Sequence, residues 1–117
     1  MTGLEYMKAI VEGSKPRAPI QDLMGFDIVE AEEGRTVFSS VPGPQHLNPI
    51  GVVHGGFAGL LLDSCMGAAV HTTCAEGRVV HRGRRVATAE GSVRRASDGK
   101  LLAHGTSTCM ILSPDAG

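Results

Sequence analysis

The sequence predicts an α+β domain in which an antiparallel sheet wraps around one apolar helix. Three observations carry that expectation. A proline-free apolar run from Gly56 to Thr72 reads as a long helix. Two groups of strand-like segments flank it, one on each side. The order along the chain is helix, two strands, helix, three strands, which suits a sheet packed on a single central helix.

The central helix is the most informative element. Phe57, Leu60, Leu61, Leu62, Met66, Ala68, Ala69 and Val70 leave almost no polar face, so burial on all sides is expected. Asp63 is its one carboxylate. A lone carboxylate inside a buried helix is costly unless it has a partner or a task.

The other elements follow from local chemistry. Leu4, Met7, Ile10 and Val11 recur at helical spacing, and Gly13 stops that helix. Residues 15–19 read as a proline-bearing linker. From Gly25 to Ala31, Phe26, Ile28 and Glu30 alternate with Asp27, Val29 and Ala31, as in a strand. Glu32-Glu33-Gly34-Arg35 is turn chemistry, and Thr36 to Val41 completes a hairpin. Pro42-Gly43-Pro44 ends it. Beyond the central helix, Glu76 to His81 reads as a strand and Arg82-Gly83-Arg84 as a turn. Val86 to Arg94 is a strand, Ser97-Asp98-Gly99 a turn, and Leu101 to Leu112 the last strand. On that strand Leu101, Ala103, Gly105, Ser107, Cys109 and Ile111 share a face. No internal repeat and no low-complexity segment interrupts the pattern.

Composition narrows the function. The 117 residues are read as one domain, 1–117. A formal net charge of -1 gives no case for nucleic acid or a membrane surface as partner. No apolar run approaches the ~20 residues that span a bilayer. The first residues lack the apolar core of a signal peptide, so a cytoplasmic protein is expected. Cys65, Cys74 and Cys109 show neither metal nor redox spacing, and Cys65 and Cys109 are expected to be reduced core residues.

The chemistry concentrates where a glycine-rich loop enters the central helix. Glycines there leave backbone N–H groups approachable, and the helix dipole adds partial positive charge. Such a site suits a carbonyl oxygen that becomes an oxyanion. Asp63 suits a nucleophile or general base. Gly55 and Asp63 are eight residues apart, about 12 Å along one helix. Reacting groups must lie within ~3 Å of the same carbonyl. One helix therefore cannot supply both, whereas two antiparallel copies can, each giving its glycine to one site and its Asp63 to the other. An enzyme built this way is at least a dimer.

The run His46-x-Asn48-x-x-Gly51-x-x-His54-Gly55-Gly56, followed by Leu62-Asp63, resembles hot-dog-fold acyl-CoA thioesterases of the phenylacetate-degradation (PaaI) and 4-hydroxybenzoyl-CoA thioesterase-like type. The stretches 77–90 and 103–108 resemble that family too. The resemblance implies a hot-dog fold and hydrolysis of an acyl-CoA thioester, aryl-acetyl or medium-chain, to free acid and coenzyme A. It implies Asp63 as nucleophile or base and the Gly55 N–H as the donor polarising the thioester carbonyl. Asn48 would position water or carbonyl, and His54 would support the loop and the Gly55 amide. Gly56 and Phe57 would contact substrate. Arg82, Arg84 and Arg85 would grip the coenzyme A phosphates, a task that suits guanidinium groups. The implied assembly is a homodimer or homotetramer with neither metal nor cofactor, coenzyme A being part of the substrate.

Each residue also has a plainer reading. Asp63 can be a structural carboxylate bonded to a loop, and Asn48 can bond its own turn. His54 reads better as structural than as a proton carrier. The arginines can be a solvated edge, and Phe57 and Leu60 core packing. His46, His71, His81 and His104 receive no role. The main competing function is a non-catalytic acyl-CoA-binding or structural hot-dog protein. A serine hydrolase is disfavoured because no Gly-x-Ser-x-Gly elbow accompanies His54-Gly55-Gly56. A hot-dog hydratase is disfavoured because no histidine follows Asp63 at the spacing expected of that family.

One element implied by the resemblance is missing. The family places a long strand and its loops between the central helix and the Glu76 strand, on the order of 25 residues. Here Ala75-Glu76-Gly77 follows Thr73-Cys74 at once. A strand of ~8 residues spans ~26 Å, yet residues 73–76 reach at most ~14 Å. Residues absent from the sequence between Cys74 and Ala75 are the favoured reading over a true deletion with a rearranged sheet.

Overall fold

The computed structural model describes residues 1–72 and 84–112. Helix α1 spans Gly3–Glu12. Thr2 Oγ1 accepts the Glu5 N–H at 3.1 Å, and Gly13, at φ 87°, donates its N–H to the last turn. A left-handed glycine is the least strained way to end a helix. The linker expected over 15–19 runs into a short helix α2, Pro19–Met24. Pro19 opens it, the Gln21 side chain accepts the Ala18 N–H at 2.8 Å, and Gly25 closes it at φ 74°. Arg17 precedes α2 and ties it to the first strand. Its guanidinium bonds Asp22 Oδ1 at 2.8 Å, the Phe26 carbonyl at 2.9 Å, and Asp27.

Strand β1, Phe26–Glu32, pairs antiparallel with β2, Arg35–Ser40, around Gly34 at φ 77°. The simple alternation expected for β1 fails. Phe26 and Ala31 are both buried although they have opposite parity. The cause is a register shift between Ile28 and Glu30, where an extra residue turns the following side chains to the other face.

Helix α3 spans Gly55–His71 and Thr72 caps its end. Strands β3, Arg84–Arg94, and β4, Leu101–Leu112, form the second hairpin. Arg84 therefore belongs to a strand and not to the expected turn. The strand expected over Glu76 to His81, and the Cys74–Ala75 junction, lie outside the described residues. Four strands in two hairpins are described, and no additional long strand after α3 is among them.

The helix α3 packs on both hairpins. Gly91 and Gly105 face each other across β3 and β4, and they form the seat. A Cβ at Gly91 would lie 3.2 Å from Leu62 Cδ2 and Met66 Cγ. At Gly105 it would lie 3.6 Å from Leu62 Cδ1. On the other side Thr36 Oγ1 donates to the Cys65 carbonyl at 2.8 Å, and the Cys65 thiol donates to the Thr36 carbonyl at 3.3 Å. Thr72 Oγ1 accepts the Gly34 N–H at 2.7 Å, which pins the first hairpin's turn to the helix end.

Burial of α3 on all sides, expected from its apolarity, is not observed. Phe57 and Met66 are buried, but Gly55, Gly59, Asp63 and Gly67 are exposed. These four recur every fourth residue and so form one stripe. The two hairpins cover only part of the helix circumference, and the stripe is the uncovered part. Asp63 is therefore exposed in the single chain, where burial was expected.

Candidate active site

The site begins with a loop that closes on itself. Pro44–His46 is a single tight turn after Gly43. From there the chain makes a second turn around Asn48. Asn48 Oδ1 accepts the N–H groups of Ile50 at 3.1 Å and Val52 at 3.2 Å, while its own N–H donates to the Val52 carbonyl at 2.8 Å. Asn48 thus does bond its own turn. That turn uses the carbonyl oxygen and leaves the amide NH2 out. Gly51, at φ 84°, makes the reversal possible. The loop shuts where the His54 N–H donates to the His46 carbonyl at 2.7 Å.

His54 then caps α3. Its Nδ1 accepts the Gly56 N–H at 2.8 Å, and its carbonyl accepts the Phe57 N–H at 3.0 Å. The bond goes to the amide of Gly56, one residue beyond the Gly55 amide that the sequence reading had it support. Because Nδ1 accepts, the neutral ring carries its proton on Nε2. Gly56 is fixed by this contact, since a Cβ there would stand 2.8 Å from His54 Nδ1. Gly55 differs. It is the first residue of the helix, so its N–H has no partner within the helix, and a Cβ there would meet open space. An exposed amide at a helix N-terminus is a donor aimed at an incoming oxygen.

Asp63 lies on the same exposed stripe two turns further along. One chain does not bring Asp63 and the Gly55 amide to one point, because about 12 Å of helix rise separates them. Phe57 is 4% exposed, and its ring stacks on His46 with centroids 3.9 Å apart. It belongs to the core of the single chain. Of the arginines, Arg82 lies outside the described residues, and Arg84 and Arg85 open β3 opposite Leu112 and Ile111. Further along the hairpin, Arg95 is held by its own turn. It bonds both oxygens of Asp98, at 2.9 and 2.7 Å, and with the Lys100 N–H holds that carboxyl below the usual range. Among the described residues, no three of His, Cys, Asp and Glu gather as metal ligands.

His46 escaped the sequence reading. Its ring is 3% exposed and makes two hydrogen bonds. Nδ1 accepts the Gly43 N–H at 2.9 Å, and Nε2 donates to the Met24 carbonyl. The Gly43-Pro44 pair just before it, which forces a tight turn, was the available signal.

No family model matches the chain, and no curated protein matches it in sequence. Solved structures match it in fold. A phenylacetic acid degradation-related protein of Ralstonia eutropha JMP134, a candidate thioesterase, superposes with a TM-score of 0.66 over 91% of this chain and 99% of its own, at 24% identity. Thioesterase superfamily member 2 of zebra fish superposes with a TM-score of 0.68 over 95% of this chain and 99% of its own, at 20% identity. No helix among the described residues is long and apolar enough to cross a membrane. Two antiparallel hairpins on one long helix, in the same arrangement as these two thioesterase-type structures, give the chain the hot-dog fold.

Proposed function

We propose that this protein hydrolyses acyl-CoA thioesters, of aryl-acetyl or medium-chain acids, to the free acid and coenzyme A. The observation that carries the reading is the uncovered stripe of α3. It holds an open amide at Gly55 and a carboxylate at Asp63 on one face of one helix. The Gly55 N–H polarises the thioester carbonyl and stabilises the oxyanion. Asp63 attacks the carbonyl carbon or activates water. The ~12 Å between them requires that each site combine Gly55 of one protomer with Asp63 of another, so the working unit is a homodimer or a homotetramer built from such pairs. Asn48 holds the loop and presents its amide NH2 beside it, and His54 sets the first turn of α3. Arg82, Arg84 and Arg85 are the proposed phosphate contacts.

The test is release of free thiol from a panel of acyl-CoAs by the purified protein, with Asp63→Ala as control. Turnover lost in the control supports the reading. Binding of acyl-CoA with no turnover by the wild type would instead support a non-catalytic acyl-CoA carrier.

A further inference from the structure

We infer that His46 is a positioning residue for the Gly55 amide, acting through the His54 cap. The inference rests on the thioesterase reading only in treating that amide as the oxyanion donor. One buried ring joins three segments. Nε2 donates to the carbonyl of Met24, the last residue of α2. Nδ1 accepts from Gly43, at the start of the tight turn. The ring plane stacks on Phe57 of the first turn of α3, at 11° between planes. Both nitrogens are satisfied in a single tautomer, so the ring has one orientation.

The backbone of the same residue completes the link. The His46 carbonyl takes the His54 N–H at 2.7 Å, and His54 Nδ1 takes the Gly56 N–H at 2.8 Å. The loop 46–54 is closed at its ends by the first of these bonds and braced inside by Asn48. It therefore moves as a unit. Its anchor to the rest of the molecule at that end is the His46 ring, since Leu47, Ile50, Val52 and Val53 are all exposed. If the ring bonds are lost, the loop and the first turn of α3 are free to rotate together. Displacing a catalytic group by about 1 Å can cost up to ~10²-fold in rate.

Three variants separate positioning from mere packing. His46→Phe keeps the stack on Phe57 and removes both ring hydrogen bonds. His46→Gln retains a donor for Met24, and His46→Asn retains an acceptor for Gly43. Two readouts are taken: kcat and KM on an acyl-CoA that the wild type turns over, and the Gly56 amide exchange rate with the His54 Nδ1 nitrogen-15 shift. For His46→Phe, kcat should fall about ten- to hundredfold with KM within about twofold. The Gly56 amide should exchange faster and the His54 Nδ1 resonance should move. One or both polar variants should recover part of the loss. A folded His46→Phe with wild-type kcat, or with Gly56 and His54 signals unmoved, overturns the inference. If His46→Phe does not fold, the two polar variants decide, and wild-type values in both overturn it. Altered Gly56 and His54 signals in a protein whose wild type hydrolyses no acyl-CoA would sustain the anchoring and sink the hydrolase reading alone.

Discussion

Asp63, in the middle of α3, and Asn48, in the loop before it, are both polar candidates for the site, but they are held differently. Asn48 carries four hydrogen bonds of its own turn, two on its side chain and two on its backbone, whereas Asp63 stands on an exposed face. Asp63→Asn should therefore leave the melting temperature close to that of the wild type and reduce kcat/KM at least ~10²-fold, the usual cost of losing a base. Steady-state kinetics beside a thermal melt checks it, and unchanged kcat/KM removes Asp63 from the mechanism. Asn48→Ala should do the reverse in part. It leaves two loop amides without their acceptor, at about 1–2 kcal/mol, and should reduce turnover less than Asp63→Ala does. A greater loss of turnover in a folded Asn48→Ala would invert the two roles. At this scale the sequence was readable where a residue acts on its own neighbours. His54 was read as a support for the loop and the Gly55 amide, and it bonds the next amide along, that of Gly56. His46 did not read, because its partners Met24 and Phe57 are 22 and 11 positions away, and spacing alone does not reveal a ring wedged between them.

Elements with a strong period were legible. α1 and β4 match expectation nearly residue for residue, and so does the first hairpin. α2 was missed because six residues opened by a proline are too few to show a period. The shift at Val29 was missed because a bulge leaves no mark in an alternating string. The exposure of α3 was missed for a different reason. Apolarity reports what a helix can bury, not how much of its circumference two hairpins reach. The Gly91–Gly105 seat turns that packing into a prediction. Gly91→Val should cost about 1–3 kcal/mol by forcing Leu62 and Met66 out of place. Gly105→Ala should cost less, because its Cβ would meet Leu62 at ordinary contact distance. Thermal melts of the two variants rank them, and an equal or reversed order would mean that the helix does not rest on Gly91 as described.

At the scale of the whole molecule, the ~12 Å between Gly55 and Asp63 is the strongest constraint on any catalytic reading. It can be tested by mixing two inactive proteins. One carries Asp63→Ala, the other Gly55→Leu, whose side chain has room in the single chain. Random pairing should yield one intact site per mixed dimer and about a quarter of wild-type activity. No recovery on mixing would argue that each site is built within one chain.

Arg17 has a consequence for how the chain survives proteases. It sits in the exposed stretch between two helices, where loops are most readily nicked, and the bond to Ala18 is a tryptic one. To be cut there, the guanidinium must leave Asp22, Asp27 and the Phe26 carbonyl and enter the enzyme's specificity pocket. This scissile bond is thus guarded by the side chain that would mark it for cleavage. Asp27→Asn should unlock it, and limited digestion followed by mass spectrometry should show cleavage after Arg17 several-fold sooner than in the wild type. Equal rates would mean that the arginine is free to be captured despite its partners.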